Sequence, residues 1–412
     1  MINIIDLFAG AGGLSEGFRK PPFNIVSHIE MNKYAAETLK TREIFYYLQQ
    51  KNKLDKYYRY LEGSITKEEL YSSIPCDVTS KILNAEINEK SLDDLFKQID
   101  LLLNKQQVHG IIGGPPCQSF STMGRSINSQ KKENDVRIYL YKHYIKFLLK
   151  YNPDFFIFEN VKGLLSFKDQ YNEVLLDKIL LEFNHAGYEV SYKLIDSSFY
   201  GVPQKRERLF IFGQKKLWNN TNIFKSMESY LMNPIFVKEL FDDLPDLLSG
   251  DVNDRYKSMV TSNFVKSYIR SNECPLTLHK SRKNNAVDLE IYKQVAQLKT
   301  LGRQLKYSDL PKHLRKHNNS HGFLDRYKAI NYNSISHTIM AHISKDGHYY
   351  IHPDMNQNRS ISIREAARIQ TFPDDYYFEG PNTAKFVQIG NAVPPLLASK
   401  IAQSIIESLY DK

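Results

Sequence analysis

The sequence predicts an α/β protein built on a doubly wound, mostly parallel sheet, with a second, smaller domain late in the chain. Over residues 1–213, short apolar runs alternate with amphipathic helical segments, as expected when crossover helices connect parallel strands. This alternation disappears over residues 214–345 and returns over 346–412. We therefore predict a main domain formed by 1–213 and 346–412, and a separate domain formed by 214–345.

The main domain's elements follow the order expected for such a sheet. Strand composition is found at residues 2–8, 25–30, 108–113, 154–159, 189–195 and 209–213, and helical periodicity at 138–150, 174–186, 362–370 and 394–409. A polar stretch rich in lysine and tyrosine interrupts this order. We interpret it as an insertion at about 41–106, with helical segments at 67–72 and 91–103.

Composition excludes several classes of protein. The 412 residues contain no apolar run near the ~18–20 residues of a membrane span. Three cysteines are too few for a disulfide framework or for an all-cysteine zinc site. The N-terminus lacks the basic region of a signal peptide, so we expect a reducing, cytoplasmic compartment.

The net charge of +9 is unevenly distributed. Residues 214–345 contain 21 basic and 12 acidic side chains, a difference of +9, so the rest of the chain is neutral. The excess is steepest over 255–328, which has 16 basic and 5 acidic residues. A solvated basic surface and a module that binds a polyanion both remain compatible with this pattern.

A glycine-rich turn follows the first predicted strand, in Asp6-Leu-Phe-Ala-Gly-Ala-Gly-Gly-Leu-Ser-Glu-Gly-Phe18. Gly10, Gly12 and Gly13 permit positive φ and a close backbone approach to a ligand. Their spacing is not the G-x-G-x-x-G of dinucleotide sites. Glu30 ends the second strand, where a carboxylate can accept both ribose hydroxyls. An adenosine ligand without pyrophosphate, such as S-adenosylmethionine, fits this pattern; the alternative is a structural turn beside a surface glutamate.

Two strand ends carry candidate catalytic groups. Gly113-Gly-Pro-Pro-Cys-Gln-Ser-Phe-Ser121 places Cys117 at the carboxyl edge of the sheet, where ligands bind in such folds. Prolines stiffen the approach to Cys117, a candidate nucleophile. Phe158-Glu-Asn-Val161 places Glu159 at another strand end, where partial burial raises a carboxyl pKa and suits proton donation. Capping of the next turn is the alternative role for Glu159.

Two later motifs are weaker when taken alone. Gly201-Val-Pro-Gln-Lys-Arg-Glu-Arg-Leu-Phe210 carries Arg206 and Arg208, which alternate on a predicted strand and so share a face. Such guanidiniums suit a phosphate, carboxylate or carbonyl oxygen, or a solvated strand edge. Gln388-Ile-Gly-Asn-Ala-Val-Pro-Pro395 is expected to open the last helix, with Asn391 at an N-terminus that presents amides to a ligand or simply caps the helix.

In this order, the motifs closely resemble those of the C5-cytosine DNA methyltransferase family. The segments that carry the resemblance read DLFAGAGG, GGPPCQSFS, FENV, QKRERL, REAARIQTFPD and GNAVPP. The resemblance implies a Rossmann-like class I methyltransferase fold, S-adenosylmethionine as cofactor and a target recognition domain at 214–345. It also implies an enzyme of the bacterial restriction–modification type, with no metal.

The same resemblance implies the catalytic roles. Cys117 would add to C6 of a cytosine flipped out of duplex DNA, which makes C5 nucleophilic toward the methyl group. Glu159 would bind N3 and the exocyclic amine. Arg206 and Arg208 would hold the O2 edge of the base and the catalytic loop, with Arg208 contacting the base.

The cofactor-binding positions implied by the resemblance are Phe8, Gly10, Gly12, Leu14, Glu30, Met31, Ile65, Gly114, Pro116, Leu140, Asn391 and Val393. Family members usually have a Gly-Asp-Ile segment against the adenine. Here Gly63-Ser-Ile-Thr has Ser64 in place of the acid, although the backbone of Ile65 could still make the contact. Asp77 is a second candidate for the adenine contact.

Contacts with double-stranded DNA are expected from two parts of the chain. The loop at about 118–135 would close on DNA, with Gln118 near the space left by the flipped base and with Arg125 among the residues suited to that closure. In the basic segment, the expected contacts are Lys280, Arg282 and Lys283. Thr338 lies in a Thr-Ile-Met that looks like the end of the family's target recognition domain.

Three histidines recur at four-residue spacing in the same region, namely His313, His317 and His321. A metal site is one interpretation and a polar surface is the other. Because the implied chemistry needs no metal, we predict none.

Other functions remain as alternatives. A tRNA cytosine-5 methyltransferase of the same family normally carries Cys-Phe-Thr, which this sequence lacks. A catalytically silent DNA-binding relative would not need Cys117, Glu159 and Arg208 together. A regulatory methyltransferase normally has an N-terminal helix-turn-helix, for which a first strand at residue 2 leaves no room. We expect a monomeric enzyme in the bacterial cytoplasm, paired with a restriction endonuclease that acts separately.

Overall fold

The computed structural model describes residues 1–116, 136–215, 222–271, 273–315 and 324–410. Within these ranges, no helix is long and apolar enough to cross a membrane. The fold is organised around a seven-stranded sheet with helices on both faces. This arrangement confirms the predicted α/β class.

The main sheet has the strand order β3-β2-β1-β4-β5-β8-β6. Its strands are β1 (Ile2–Leu7), β2 (Phe23–Ile29), β3 (Ile82–Leu83), β4 (Gly110–Gly113), β5 (Phe155–Val161), β6 (Tyr188–Asp196) and β8 (Glu207–Lys215). Strands β3, β2, β1, β4 and β5 all run parallel to their neighbours in this order. Strand β8 lies between β5 and β6 and is antiparallel to both. The strand order reverses beside β1, and ligands bind at such a switch point in open α/β sheets.

A second sheet pairs β7 (Gln204–Lys205) with β9 (Ser336–His337) in parallel. The α-helices of the described residues are α1 (Gly13–Glu16), α2 (Lys33–Gln50), α3 (Leu54–Leu61), α4 (Lys67–Ser72), α5 (Cys76–Ser80), α6 (Leu92–Leu103), α7 (Leu140–Tyr151), α8 (Leu175–His185), α9 (Ile223–Ser226), α10 (Val237–Phe241), α11 (Asn263–Tyr268), α12 (Ala286–Thr300), α13 (Ile363–Ile369), α14 (Asn382–Asn391) and α15 (Pro395–Ile405).

Successive side chains of the main sheet enter two separate apolar clusters, one on each face. Ile4 and Phe155 pack on one face with side chains of α1 and α15. Ile5 and Phe156, their immediate neighbours in sequence, pack on the other face with side chains of α6, α7 and α8. Both faces of the sheet are therefore covered, and its carboxyl edge stays available for a site.

The predicted insertion at about 41–106 divides between two apolar clusters. Side chains of α6 pack on the main sheet, whereas Ile44 and Phe45 of α2 pack with Tyr57 and Leu70. The group α3–α5 belongs to this second cluster. Its tyrosines reach the C-terminal segment: the Tyr57 hydroxyl donates to the Asp375 carbonyl oxygen at 2.8 Å.

The region from β8 to α13 packs in two parts. Phe224 and Phe264 belong to the same apolar cluster as α13 and α15. Residues between Ile291 and Ile351 form a separate cluster around α12. The predicted boundary at 213/214 falls inside β8, which continues to Lys215.

Candidate active site

The candidate site lies where three neighbouring strands end. The pairing of β1 with β4 and of β4 with β5 brings Leu7, Gly113 and Phe158 into register. The next residue of each strand, Gly114 and Glu159 among them, therefore lies at the carboxyl edge. A Cβ built on Gly114 would lie 2.1 Å from the Glu159 carbonyl oxygen, so only glycine fits there.

Glu159 is paired with an arginine at this edge. Its Oε1 lies 3.0 Å from Nε of Arg208, and both side chains are partly buried. Burial raises the pKa of Glu159, although the guanidiniums of Arg208 and Arg206 oppose that shift. Because Gly114 precedes Cys117 by three residues, this carboxyl of raised pKa stands beside the chain segment that leads to the predicted nucleophile.

Arg206 differs from the expectation that it shares a strand face with Arg208. It lies between β7 and β8 and is fully buried. Its guanidinium donates to the carbonyl oxygens of Ile339 at 2.8 Å and Gly390 at 3.1 Å. Arg206 therefore acts on Glu159 through its charge while it ties together distant parts of the chain.

The glycines of the turn after β1 differ in how closely other atoms approach them. A Cβ at Gly12 would come within 2.8 Å of Leu39, and one at Gly13 within 2.3 Å of the Val393 carbonyl oxygen. Gly10, with φ +56°, has no atom within 4 Å of its Cβ position. Its N–H donates to Glu30 Oε2 at 2.8 Å. An opening suited to a ligand thus lies beside a carboxylate held by backbone.

The comparisons with known proteins agree with this geometry. A family model described as C-5 cytosine-specific DNA methylase matches residues 2–107 and 77–407. The Type II methyltransferase M.Bpa9945I of Bacillus paralicheniformis is 37% identical over 98% of both chains. M.FnuDI of Fusobacterium nucleatum is 30% identical over 100% of this chain and 96% of its own length. The chain belongs to the C-5 cytosine-specific DNA methylase family.

Solved structures support the same fold. A protein described as a DNA modification methyltransferase encoded within an E. coli prophage has a TM-score of 0.66 and 22% identity, over 99% of both chains. An Entamoeba histolytica methyltransferase has a TM-score of 0.55 and 12% identity, over 99% of this chain and 98% of its own.

Membership of the family makes this chain a DNA (cytosine-5-)-methyltransferase and implies the use of S-adenosylmethionine. The residues around the glycine turn fit that cofactor, since Gly10 faces open space and Glu30 follows β2 directly. Burial raises the pKa of Glu30, even though the N–H groups of Asn32 and Gly10 both donate to its carboxylate.

The other predicted cofactor residues differ in exposure. Met31 is 60% exposed, whereas Leu14 and Val393 are buried. Phe8, Pro116 and Leu140 are partly buried at the ends of β1, the β4 loop and the start of α7. Asn391 corrects an expectation: it is the last residue of α14, because the following helix begins only at Pro395.

The adenine-contact candidates Ser64 and Ile65 lie between α3 and α4, and Asp77 lies in α5. Ile65 packs in the tyrosine-rich cluster of α3–α5, and Ser64 and Asp77 are exposed. Asn84, which the sequence motifs did not indicate, follows β3 directly, and its side-chain N–H donates to the carbonyl oxygens of Glu30 at 2.8 Å and Met31 at 3.1 Å. An asparagine ending a short Ile-Leu strand was the available signal.

The predicted DNA-contact residues also separate. Lys280 and Lys283 are exposed. Arg282 instead donates to the carbonyl oxygens of Ile343 at 2.9 Å and Lys345 at 2.5 Å, so it braces the chain. Thr338 donates to the carbonyl oxygen of Lys205, the residue directly before Arg206, at 2.5 Å.

Several predicted residues lie outside the described residues, namely Cys117, Gln118, Arg125, His317, His321 and the whole of the loop 118–135. The remaining histidine of the trio, His313, is exposed and lies 3.8 Å from Glu290.

Proposed function

We propose that this enzyme methylates C5 of a cytosine within one short DNA sequence, with Cys117 as nucleophile and with Glu159 and Arg208 as the groups that bind the base. The observation that carries this proposal is the Glu159–Arg208 pair at 3.0 Å beside Gly114, three residues before Cys117. A pair of this kind offers a proton and a hydrogen-bond donor to one edge of a flipped base.

The protein groups act in sequence on the pyrimidine ring. The Cys117 thiolate forms a bond to C6, and the electron pair of the C5–C6 double bond moves into the ring. Glu159, with its raised pKa, donates a proton to N3 and thereby neutralises the adduct. When bound, S-adenosylmethionine supplies the electrophilic methyl group for C5 and would leave as S-adenosylhomocysteine. A base then removes the C5 proton, the C6–S bond breaks to release the Cys117 thiolate and restore the double bond, and N3 returns its proton to Glu159.

The cofactor would be held by the backbone of Gly10, by the Glu30 carboxylate on the ribose and by the segment Asn391–Val393. Phe8, Gly12, Leu14, Met31, Gly114, Pro116 and Leu140 would complete the site, and Asn84 would stand nearer the adenine than Ile65. Among the three glycines of the turn, Gly10, Gly12 and Gly13, only Gly10 faces open space, and a ligand needs such space beside the backbone.

DNA would be bound between the catalytic residues and the target recognition domain at 214–345. Within that domain, the separately packed part around α12 and the exposed Lys280 and Lys283 would contact DNA, while Arg282 braces them. Gln118 and Arg125 would approach from the loop, and Thr338 from beside β7.

The biological setting follows from the relatives, which carry the names of Type II methyltransferases. We infer that this chain is the modification half of a bacterial restriction–modification system. It would act as a monomer in the cytoplasm, separately from its endonuclease.

Methylation mapping tests the function. Host DNA is sequenced at base resolution after bisulfite treatment, following expression of the wild type, of Cys117→Ala and of Cys76→Ala, a matched control at an exposed cysteine. We expect one short motif to become methylated with the wild type and Cys76→Ala, and none with Cys117→Ala. Purified Cys117→Ala should still bind S-adenosylmethionine and DNA.

Two outcomes would contradict this proposal. Methyl transfer by Cys117→Ala would remove the nucleophile from the mechanism. Unmodified DNA in the presence of folded wild-type protein would redirect the search to tRNA as substrate, or to a silent DNA-binding role.

A further inference from the structure

Three buried side chains link the part of the chain that ends the recognition domain to the segment beside the glycine turn. The first part, Ser336–Ser344, is named here the recognition strap, and it includes Thr338. The second is Asn391–Val393. Gln204, Arg206 and Gln370 lie between them, all fully buried. Buried polar groups of this kind must keep their hydrogen-bond partners, because an unsatisfied one is costly.

At the strap, both backbone polar groups of one residue, Ile339, are held. The Ile339 N–H donates to Gln204 Oε1 at 3.0 Å, and the Ile339 carbonyl oxygen accepts from Arg206 at 2.8 Å. The strap also packs against α14 without intervening side chains, since a Cβ at Gly390 would lie 2.3 Å from the Ala341 nitrogen. The strap therefore cannot shift without a response from Gln204 or α14.

At the other end, Gln370 continues the chain of hydrogen bonds. Gln204 Nε2 donates to Gln370 Oε1 at 2.7 Å. Gln370 Nε2 donates to the carbonyl oxygen of Ile389 at 2.7 Å and reaches that of Ala392 at 3.4 Å. The adjoining Val393 carbonyl oxygen touches the glycine turn at Gly13. One amide pair thus spans the distance from the strap to the proposed cofactor opening.

We propose that Gln204 and Gln370 are positioning residues that couple cofactor binding to DNA recognition. A cofactor that orders Asn391–Val393 would fix Gln370, which fixes Gln204 and hence the strap that carries Thr338. Such coupling is reciprocal, so DNA bound at the strap would also strengthen cofactor binding. This inference rests on the proposed place of the cofactor at the glycine turn and Asn391–Val393.

The test measures how strongly the cofactor product increases affinity for DNA. The affinity for a duplex carrying the mapped sequence is measured with and without S-adenosylhomocysteine, in the wild type, Gln204→Met, Gln370→Met and the double variant. Methionine keeps the volume but removes the hydrogen bonds. We expect a wild-type ratio within the roughly 5- to 150-fold range of allosteric couplings. Each single variant should lower this affinity ratio to nearly 1, and the double variant should lower it no further than either single variant does.

Gln388→Met is the matched control. Gln388 is likewise a buried glutamine; it lies on α14, accepts from the Thr38 hydroxyl at 2.7 Å and donates to the Glu379 carbonyl oxygen at 2.9 Å. Those partners do not lead to the strap. Gln388→Met should lower the thermal midpoint as much as the test variants while it keeps the wild-type ratio. An equal loss of ratio in Gln388→Met would mean that general loosening is the cause, and would overturn the proposal.

Hydrogen exchange measured on the wild-type protein tests the coupling without any variant, so its result does not depend on whether the variants fold. S-adenosylhomocysteine alone should slow exchange of the Ile339 amide, which donates directly to Gln204. Unchanged exchange, or a wild-type ratio of 1, with the cofactor product bound would overturn the coupling and leave the proposed function standing. A folded wild type that binds no S-adenosylhomocysteine would overturn both.

Discussion

Two carboxylates beside arginines, Glu159 at the end of β5 and Glu365 in α13, have opposite properties. Glu365 is almost fully buried and accepts two bonds from Arg359, both at 2.7 Å, and one from the Ser362 N–H at 2.7 Å. Its pKa is held low because the Arg359 guanidinium overcomes burial. Glu159 contacts Arg208 at 3.0 Å and is partly exposed. Burial dominates there, and its pKa is raised.

This difference separates a carboxylate that holds the fold from one that can act on a ligand. Glu365 has its charge neutralised and its acceptors filled, so it joins α13 to the segment before it. Glu159 keeps an affinity for protons and stands at the open edge of the sheet. Raised pKa values at strand ends are typical of acid–base groups, whereas saturated ion pairs are typical of structure.

The largest expected effect is on catalysis at Glu159. Glu159→Gln keeps the shape of the side chain but removes its proton-donating acid, so turnover should fall by about 10²- to 10⁴-fold. Because folding raises the pKa of Glu159, its ionised form adds no net stability to the fold, and the free energy of unfolding in urea at neutral pH should not fall in the variant. Methyl transfer to duplex DNA and urea titration measure the two quantities.

The pH dependence provides a second check on the same variant. A carboxyl whose pKa is raised on folding stabilises the fold below its unfolded pKa, and this contribution is lost as pH rises through the folded pKa. Glu159→Gln should lack that loss. Full turnover by the variant would place Glu159 with Glu365 among the structural carboxylates.

The next effect is on stability at Glu365. Glu365→Ala leaves Arg359 buried without its partner, which should lower the free energy of unfolding by about 3–5 kcal/mol. Because folding lowers the pKa of Glu365 from its ordinary 4.5, its contribution is complete above about pH 4.5 and is lost on acidification. The variant should therefore lack this acid-dependent loss. Urea titrations between pH 7 and pH 3 measure it.

An exposed ion pair is the control for that variant. Glu89 pairs with Lys146 at the surface, and Glu89→Ala should leave the urea midpoint unchanged. Turnover per folded molecule should be unchanged in both variants. A Glu365→Ala protein as stable as Glu89→Ala would show that the buried cluster does not hold the fold.

The sequence predicts what depends on neighbouring residues and misses what depends on distant ones. The strand segments that lead to Gly113 and Glu159 were predictable because each is a local apolar run, although β5 continues beyond Glu159 to Val161. The burial of Arg206 was not, since its partners Ile339 and Gly390 lie 133 and 184 residues away.

Spacing along the sequence was also a poor guide to position where extra helices or prolines interrupt the alternation of strands and helices. Asn84 was not singled out because α2–α5 separate it from β2, and the adenine contact expected at Ser64, Ile65 or Asp77 stays a prediction. Asn391 was expected to open a helix, but the prolines after it delay that helix to Pro395.

A third carboxylate, Glu30, sharpens the comparison with the smallest expected effect. Each of its oxygens accepts one backbone N–H, from Gly10 at 2.8 Å and Asn32 at 2.7 Å, yet burial keeps its pKa raised. Glu30 therefore accepts hydrogen bonds through both oxygens, as Glu365 does, but has a raised pKa, as Glu159 does. Glu30→Ala should weaken S-adenosylmethionine binding by about 10- to 100-fold, the range for lost charged hydrogen bonds, with less effect on DNA binding.

Calorimetry over pH decides whether Glu30 behaves as a ligand group. Because its pKa is raised from 4.5, acidification should weaken wild-type cofactor binding at a higher pH than for an ordinary glutamate, and Glu30→Ala should show no such decline. Glu37→Ala is the control, since Glu37 pairs at the surface with Lys40 and Lys67 and should leave the affinity unchanged. Unchanged cofactor affinity in Glu30→Ala would make Glu30 a brace for the glycine turn, closer in kind to Glu365.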